Sequence, residues 1–263
     1  MSRIAVLTAT KWEFDALALI MERPRMRAIE GLRCLEGRCG ENRILLAKTG
    51  MGPTAAARAA MSILTAEPAD LIVSSGYGCL LREGRVGDVM TATEVAMMPQ
   101  GAAAAGVDSR RCDDRFHAKV TQVLRDQGVR LHVGRVVSDA RVVVTADEKR
   151  RVARGTEAIG LDMESAAIAG VAADRGIPMG VLRVASDLVD EDLPLDFNRC
   201  LGPLGWMRAA WHCLTRPARV SALMAFRRQV SAATASLTSV CRQLLGRGDL
   251  VGAPVAAGRS AEC

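Results

Sequence analysis

Residues 158–187 read A-I-G-L-D-M-E-S-A-A-I-A-G-V-A-A-D-R-G-I-P-M-G-V-L-R-V-A-S-D. A short apolar run at 158–162 leads into an alanine-rich stretch, 163–174, that reads as a helix. Gly176 and Pro178 end it, because glycine suits the left-handed turn after a helix and proline cannot continue the ladder. Residues 179–185 then form a continuous apolar run, the pattern of a strand buried on both faces, and this run enters Ser186-Asp187. Strand, helix and strand in so short a span make a crossover unit, which commits the chain to an α/β architecture.

The same alternation extends outward. Residues 3–9 and 43–48 read as buried strands, with a helix at 11–21 after the first and a turn at Thr49-Gly50-Met51-Gly52 after the second. Pro53 opens a helix that runs to Ala66, proline being suited to a first helical turn. A strand at 70–74 ends in Ser75-Gly76-Tyr77-Gly78. Residues 86–97 read as an extended, kinked strand, 98–114 as a loop or lid, 116–127 as a helix stopped by Gly128, and 132–138 as a further strand. The expected fold is a three-layer αβα arrangement around a mixed, mainly parallel sheet, plus a helical C-terminal extension. The expected division is an α/β domain at 1–197, a basic helical extension at 198–246 and a disordered tail at 247–263.

Composition narrows the function. A chain of 263 residues can bury a core without metal or disulfide support. The eight cysteines include no C-x-x-C pair, so no zinc or redox site is expected, and reduced thiols in a cytoplasmic protein are the reading. No apolar run is long enough to cross a bilayer. The net charge of +6 is uneven: between Asn198 and Gly248 there are eight arginines and no acid. That asymmetry favours an anionic partner for this segment, a membrane surface or a nucleic acid. The absence of regularly interleaved aromatics argues against nucleic acid.

In open α/β sheets ligands sit beyond the carboxyl ends of the strands. Several expected strands here finish in glycine, serine or an acid: Thr8 to Glu13, Thr49 to Gly52, Ser75 to Gly78, Asp162 to Glu164, and Ser186-Asp187. Glycines let backbone N–H groups approach a ligand, and the acids can move protons or bind hydroxyls. His117, His132 and His212 join no such group.

Taken together, Leu161-Asp162-Met163-Glu164-Ser165 opening a helix and a following strand that ends in Ser186-Asp187 resemble the methylthioadenosine/adenosylhomocysteine nucleosidases and the wider nucleoside phosphorylase superfamily. The resemblance includes residues 4–13, Lys48-Thr49-Gly50-Met51-Gly52, Ser75-Gly76-Tyr77-Gly78 and Val86-Gly87-Asp88, and it covers roughly 3–197. It implies cleavage of the N-glycosidic bond of a purine nucleoside. Asp187 would protonate purine N7, for which burial should keep its carboxyl protonated near neutrality. Glu13 would position and deprotonate the attacking water. Glu164 would bind a ribose hydroxyl, with Met163 against the sugar. Asp162, Ser186, Gly76, Tyr77, Gly78 and Val142 complete the expected substrate-binding set. Lys11, Thr49 and Gly50 leave a phosphate or nucleophile site open, so inorganic phosphate is a candidate co-substrate, with no metal or other cofactor. A homodimer is expected.

One departure concerns the base. Where the nucleosidases often place an aromatic residue, this chain has Ser138-Asp139-Ala140-Arg141-Val142, which leaves stacking to Arg141 or an apolar side chain. The segment after Leu193-Pro194, with Trp206, Trp211, Arg216-Pro217, Phe226 and Arg227-Arg228, resembles the hopanoid-associated phosphorylase branch. That branch implies release of adenine from adenosylhopane and peripheral contact with the inner face of the membrane. A nucleosidase or phosphorylase acting on a soluble nucleoside is the alternative. A catalytically silent nucleoside-binding protein is a second alternative, against which the intact Asp187, Glu164 and Glu13 argue.

Overall fold

The computed structural model describes residues 1–98, 109–125, 128–196, 198 and 217–251. Most of the lid expected at 98–114 lies outside the described residues, as do Trp206, Trp211, His212 and positions 252–263 of the expected tail. In chain order the elements are β1 (Arg3–Thr8), α1 (Lys11–Ala18), β2 (Glu22–Ile29), β3 (Leu32–Cys39), β4 (Asn42–Lys48), α2 (Pro53–Ala66), β5 (Leu71–Leu80), β6 (Val89–Met97) and β7 (Ser109–Arg111). They continue with α3 (Asp114–Arg125), β8 (Leu131–Ser138), α4 (Ala146–Thr156), β9 (Gly160–Asp162), α5 (Ser165–Asp174), β10 (Met179–Leu188) and α6 (Pro217–Leu245).

The strands form one mixed sheet of ten. β1 lies parallel between β4 and β5, and β5 is parallel to β10. β10 then pairs antiparallel with β6, β6 runs parallel to β8 and β8 to β9, and β9 returns antiparallel to β5. This half of the sheet closes into a ring, β5-β10-β6-β8-β9, where the sequence suggests an open sheet. At the other edge β4, β3 and β2 form an antiparallel meander, and β7 adds to β6.

Side chains alternate across a strand, so Ile4 and Val6 face one layer while Ala5 and Leu7 face the other. Helices α1, α3 and α6 cover the first face, and α2 and α5 the second. Helix α4 packs through Val152 on a smaller cluster with Val137 and Leu161. This is the three-layer arrangement expected.

Two hidden elements emerge. The β2–β3 hairpin turns on Glu30 and Gly31, both at positive φ (45° and 81°), the geometry of a two-residue hairpin loop. Helix α4 starts at Thr145, whose hydroxyl accepts the Glu148 N–H. Two strands also run further than expected. β5 continues through Ser75-Gly76-Tyr77-Gly78 to Leu80, and β10 through Ser186-Asp187 to Leu188, because each pairs with the other along that length.

Helix α6 is built into the core. Ala233, Leu237, Val240, Cys241, Leu244 and Leu245 are buried in the cluster that holds Ile4, Val6 and Leu182. Each fully buried leucine contributes roughly 1.5–3 kcal/mol, against a net domain stability of about 5–15 kcal/mol. Beyond it, Asn42 donates to the Leu245 and Arg247 carbonyls at 2.9 and 2.7 Å, Asp249 pairs with Lys119, and Leu250 is buried. Residues 247–251 are therefore part of the body, which corrects the expectation of a tail for that segment. Among the described residues no helix is long and apolar enough to cross a membrane.

Candidate active site

Asp187 reaches its place through a bulge. In the β10–β5 register Ala185 opposes Gly78 and Asp187 opposes Cys79, so Ser186 is an extra residue. Such an insertion bends the strand and redirects the next side chain, a device common beside active sites. The Ser186 hydroxyl donates to Asp187 Oδ1 at 2.8 Å and lies 3.4 Å from the Gly78 carbonyl. Lys149 Nζ donates to Asp187 Oδ2 at 2.6 Å. The carboxyl is thus held on both oxygens, and only 8% of the residue is exposed.

Asp162, Glu164 and Arg183 form a second buried group. Asp162 Oδ1 accepts the Glu164 and Ser165 N–H groups, both at 3.2 Å, and the Ser138 hydroxyl. Its Oδ2 accepts Arg183 Nε at 2.8 Å and the Ser165 hydroxyl. All its acceptor capacity is used in starting α5 and anchoring Arg183. Asp162, expected in the substrate-binding set, is here engaged with the start of α5 and with Arg183. Glu164 Oε1 accepts the Gly52 N–H at 2.9 Å at the start of α2, where free amides and the helix dipole favour an anion. Its Oε2 stands 3.6 Å from Arg183. Met163, half-buried, lies over Gly52.

Glu13 closes the group from α1. Its Oε2 accepts the Thr10 N–H at 2.6 Å and the Thr10 hydroxyl at 2.9 Å, while the Thr10 hydroxyl accepts the Glu13 N–H, a reciprocal cap. Its Oε1 accepts the Tyr77 N–H at 2.8 Å. Gly76 is required here by close approach: a Cβ would lie 2.3 Å from Glu13 Oε1 and 2.8 Å from Arg183 Nη1. Gly78 is likewise crowded by the Leu161 carbonyl. The three acids are thus gathered around the carboxyl-terminal halves of β5 and β10.

Other expected residues are placed differently. Lys11 pairs with Asp15 on the exposed face of α1. The Thr49 hydroxyl lies 3.1 Å from the Thr8 carbonyl and 2.7 Å from that of Gly50, so it is turned to backbone. Gly50, at φ 85°, serves that turn. Lys11, Thr49 and Gly50 therefore do not converge as a phosphate site. The Tyr77 ring packs toward α6, its hydroxyl 2.6 Å from that of Thr234, and its backbone alone serves Glu13. Val142 exchanges backbone hydrogen bonds with the Asn198 side chain, and Arg141 pairs with Glu148. Arg183 and Lys149 are the members that sequence reasoning missed. A lone arginine inside the apolar run of β10 is the signal for the first.

Burial pushes the Glu164 carboxyl up to about 7; Asp162 and Glu13 add to the rise, while Arg183 and the Gly52 N–H oppose it. From its ordinary value of 4.5 up to about 7, the unfolded chain releases this proton before the folded chain does. Stability from this group is therefore complete below 4.5 and lost as pH rises through 7. The loss is on the order of 3 kcal/mol. Glu164→Gln should gain melting temperature relative to the parent between pH 5 and pH 8, measured by circular dichroism. A constant difference across that range would refute the assignment.

With this geometry in hand, the relatives are informative. A profile of the Phosphorylase superfamily matches residues 3–200. The chain is 24% identical over 210 residues to a 5'-methylthioadenosine/S-adenosylhomocysteine nucleosidase of Actinobacillus succinogenes, covering 76% of this chain and 91% of that one. With the same enzyme of Shewanella halifaxensis it is 24% identical over 215 residues, covering 77% and 94%. Among solved structures, the nucleosidase of Neisseria meningitidis in complex with methylthio-immucillin-A matches with a TM-score of 0.74 at 22% identity, over 92% of this chain and 98% of that one. Futalosine hydrolase of Helicobacter pylori matches at 0.72 and 18% identity, over 92% and 96%. The structural matches establish a shared fold, and the profile spans the whole βαβ framework that carries Glu13, Glu164 and Asp187: the chain belongs to the phosphorylase superfamily.

Proposed function

We propose that this chain cleaves the N-glycosidic bond of a purine nucleoside, with Asp187 as general acid and water as the nucleophile. The observation that carries the reading is the grouping of three buried carboxyls, Glu13, Glu164 and Asp187, around β5 and β10. As the bond from ribose C1' to purine N9 breaks, its electron pair passes to the base and Asp187 delivers a proton to N7. Glu164, when ionised, accepts a ribose hydroxyl and stabilises the positive charge growing on the sugar. Glu13 takes a proton from water as the new C1'–O bond forms. Solvent exchange returns one proton to Asp187 and removes one from Glu13.

Water is favoured over phosphate on charge. Arg183 is committed to Asp162, and Lys149 to Asp187, while Glu13 and Glu164 repel a dianion. Assaying free base from adenine nucleosides, with and without phosphate, tests the reading.

Adenine as the base and a lipid-linked, hopanoid-type nucleoside as the substrate are the finer proposal, along with a homodimer and peripheral contact with anionic membrane. The lipid-linked substrate and the membrane contact draw their support from the basic C-terminal segment, in which Arg227 and Arg228 lie exposed on α6. Each basic residue near an anionic leaflet contributes on the order of 1 kcal/mol. The protein should bind anionic liposomes in low salt. Replacing Arg227 and Arg228 by Gln should weaken that binding about tenfold or more, while a water-soluble nucleoside is still cleaved. Equal binding of the parent to neutral and anionic liposomes would remove the membrane reading.

A further inference from the structure

Lys149 is the most deeply buried charge on α4, with no exposed surface. An ammonium has three N–H donors. All three have acceptors here: Asp187 Oδ2 at 2.6 Å, the Glu191 carbonyl at 2.8 Å and the Leu188 carbonyl at 3.2 Å. A lysine in apolar surroundings is expensive unless it is paired and hydrogen-bonded, and this one meets both conditions. Its contacts all lie on Asp187 or on the turn that follows it. α4 has a polar surface, and only Ala146, Lys149 and Val152 on it are buried, so the helix places this single charge inward at the site. Beside the pair, burial above all raises the Cys79 thiol well above its usual range, so Cys79 stays protonated and brings no competing anion.

We propose that Lys149 is a positioning residue of the glycosidic cleavage: it fixes Asp187 against the purine and stabilises the carboxylate that remains once the proton has gone to the base. The inference rests on the reading of Asp187 as general acid. In the step itself the proton passes from Asp187 to N7, and the C1'–N9 electron pair goes to the purine. Lys149 neither gains nor loses a proton. Its charge acts on the difference between the two states of Asp187, which is where an electrostatic contribution to rate must come from. The two carbonyl contacts hold the 188–191 turn, so that the carboxyl keeps one orientation.

The test separates acid assistance from general support of the site. Lys149→Met removes both charge and hydrogen bonds; Lys149→Gln keeps hydrogen bonding and removes the charge, and serves if the Met variant does not fold. Each is assayed on an adenine nucleoside and on p-nitrophenyl riboside, whose leaving group departs as a stable anion without needing a proton. Turnover of the adenine nucleoside should fall at least about tenfold, with KM within about threefold, and nitrophenyl release should fall by less than about threefold. In an Asp187→Asn background the second substitution should add no further loss, because the two residues act as one unit. Equal losses on both substrates would reduce Lys149 to a structural role, and undiminished adenine release would overturn the proposal outright. Should Asp187→Asn alone leave adenine release intact, the acid assignment fails, and this inference falls with it.

Discussion

Asp187→Asn should fold as the parent does and release adenine from an adenine nucleoside at least about a hundredfold more slowly, the scale on which a general acid contributes. The substitution is close to isosteric. The asparagine oxygen can still accept from Lys149 Nζ, and the bulge at Ser186 that aims the side chain is untouched. What is lost is the transferable proton. Purines are poor leaving groups as anions, so the barrier rises even though the substrate still fits. Chromatographic detection of free adenine gives the rate, and a circular dichroism melt checks the fold. A variant that turns over normally would remove Asp187 from the chemistry and leave the Lys149 pair as a structural ion pair.

Glu13→Gln should reduce hydrolysis by about a hundredfold to ten-thousandfold, the range for loss of a general base, while the nucleoside still binds. The carboxylate meets three donors, from Tyr77 N, Thr10 N and the Thr10 hydroxyl. A glutamine presents one oxygen and one NH2 group, so at least one of those donors loses its acceptor. The stability cost is roughly 1–3 kcal/mol, which a melt will register separately from the rate. Binding is read by calorimetry with the uncleaved nucleoside. Addition of phosphate should not rescue the variant, and it should not accelerate the parent. Strict phosphate dependence of the parent, with a ribose 1-phosphate product, would replace water by phosphate as the nucleophile and return Glu13 to a capping role.

The parts of the fold legible in the sequence are those with unambiguous punctuation. Pro53 starts α2 and its alanine-rich run continues to Ala66, while Gly176 and Pro178 close α5 before the apolar strand β10. The β2–β3 hairpin escapes notice because β2 carries Glu22, Arg23, Pro24, Arg25 and Arg27 and is exposed over most of its length. Charges of this kind guard an edge strand, and they erase the alternation by which strands are read. Helix α4 is hidden for a similar reason, with a burial pattern resting on Ala146, Lys149 and Val152 alone. In β5 the glycines suggest a turn where the strand in fact continues; they are there because Glu13 and the Leu161 carbonyl approach the backbone.

The site divides along the same line. Glu13, Glu164 and Asp187 stand out in the sequence because they sit near strand ends and helix starts, where α/β sheets place their ligands. Arg183 and Lys149 are not, because one lies within an apolar strand and the other within a polar helix. Which side of a helix a lysine takes is decided by packing: Lys11 reaches solvent and Asp15, whereas Lys149 reaches the interior. The informative anomaly for Arg183 is a charge inside an apolar strand, whereas Lys149, set among the charges of α4, carries no such signal.

The ring of strands around the site also bears on how the chain reaches its native state. β5 and β10 pair in parallel from Ile72 and Met179 onward, bringing together segments about a hundred residues apart in sequence. Closing a loop of that length costs entropy before any contact rewards it, and folding slows as such distant pairings dominate. Local units such as the β2–β3 hairpin can form early, whereas Gly76 meets Arg183 and Cys79 meets Asp187 only when β5 and β10 pair. A partly folded chain therefore has no carboxyl cluster, and the appearance of activity during refolding marks the completion of the fold.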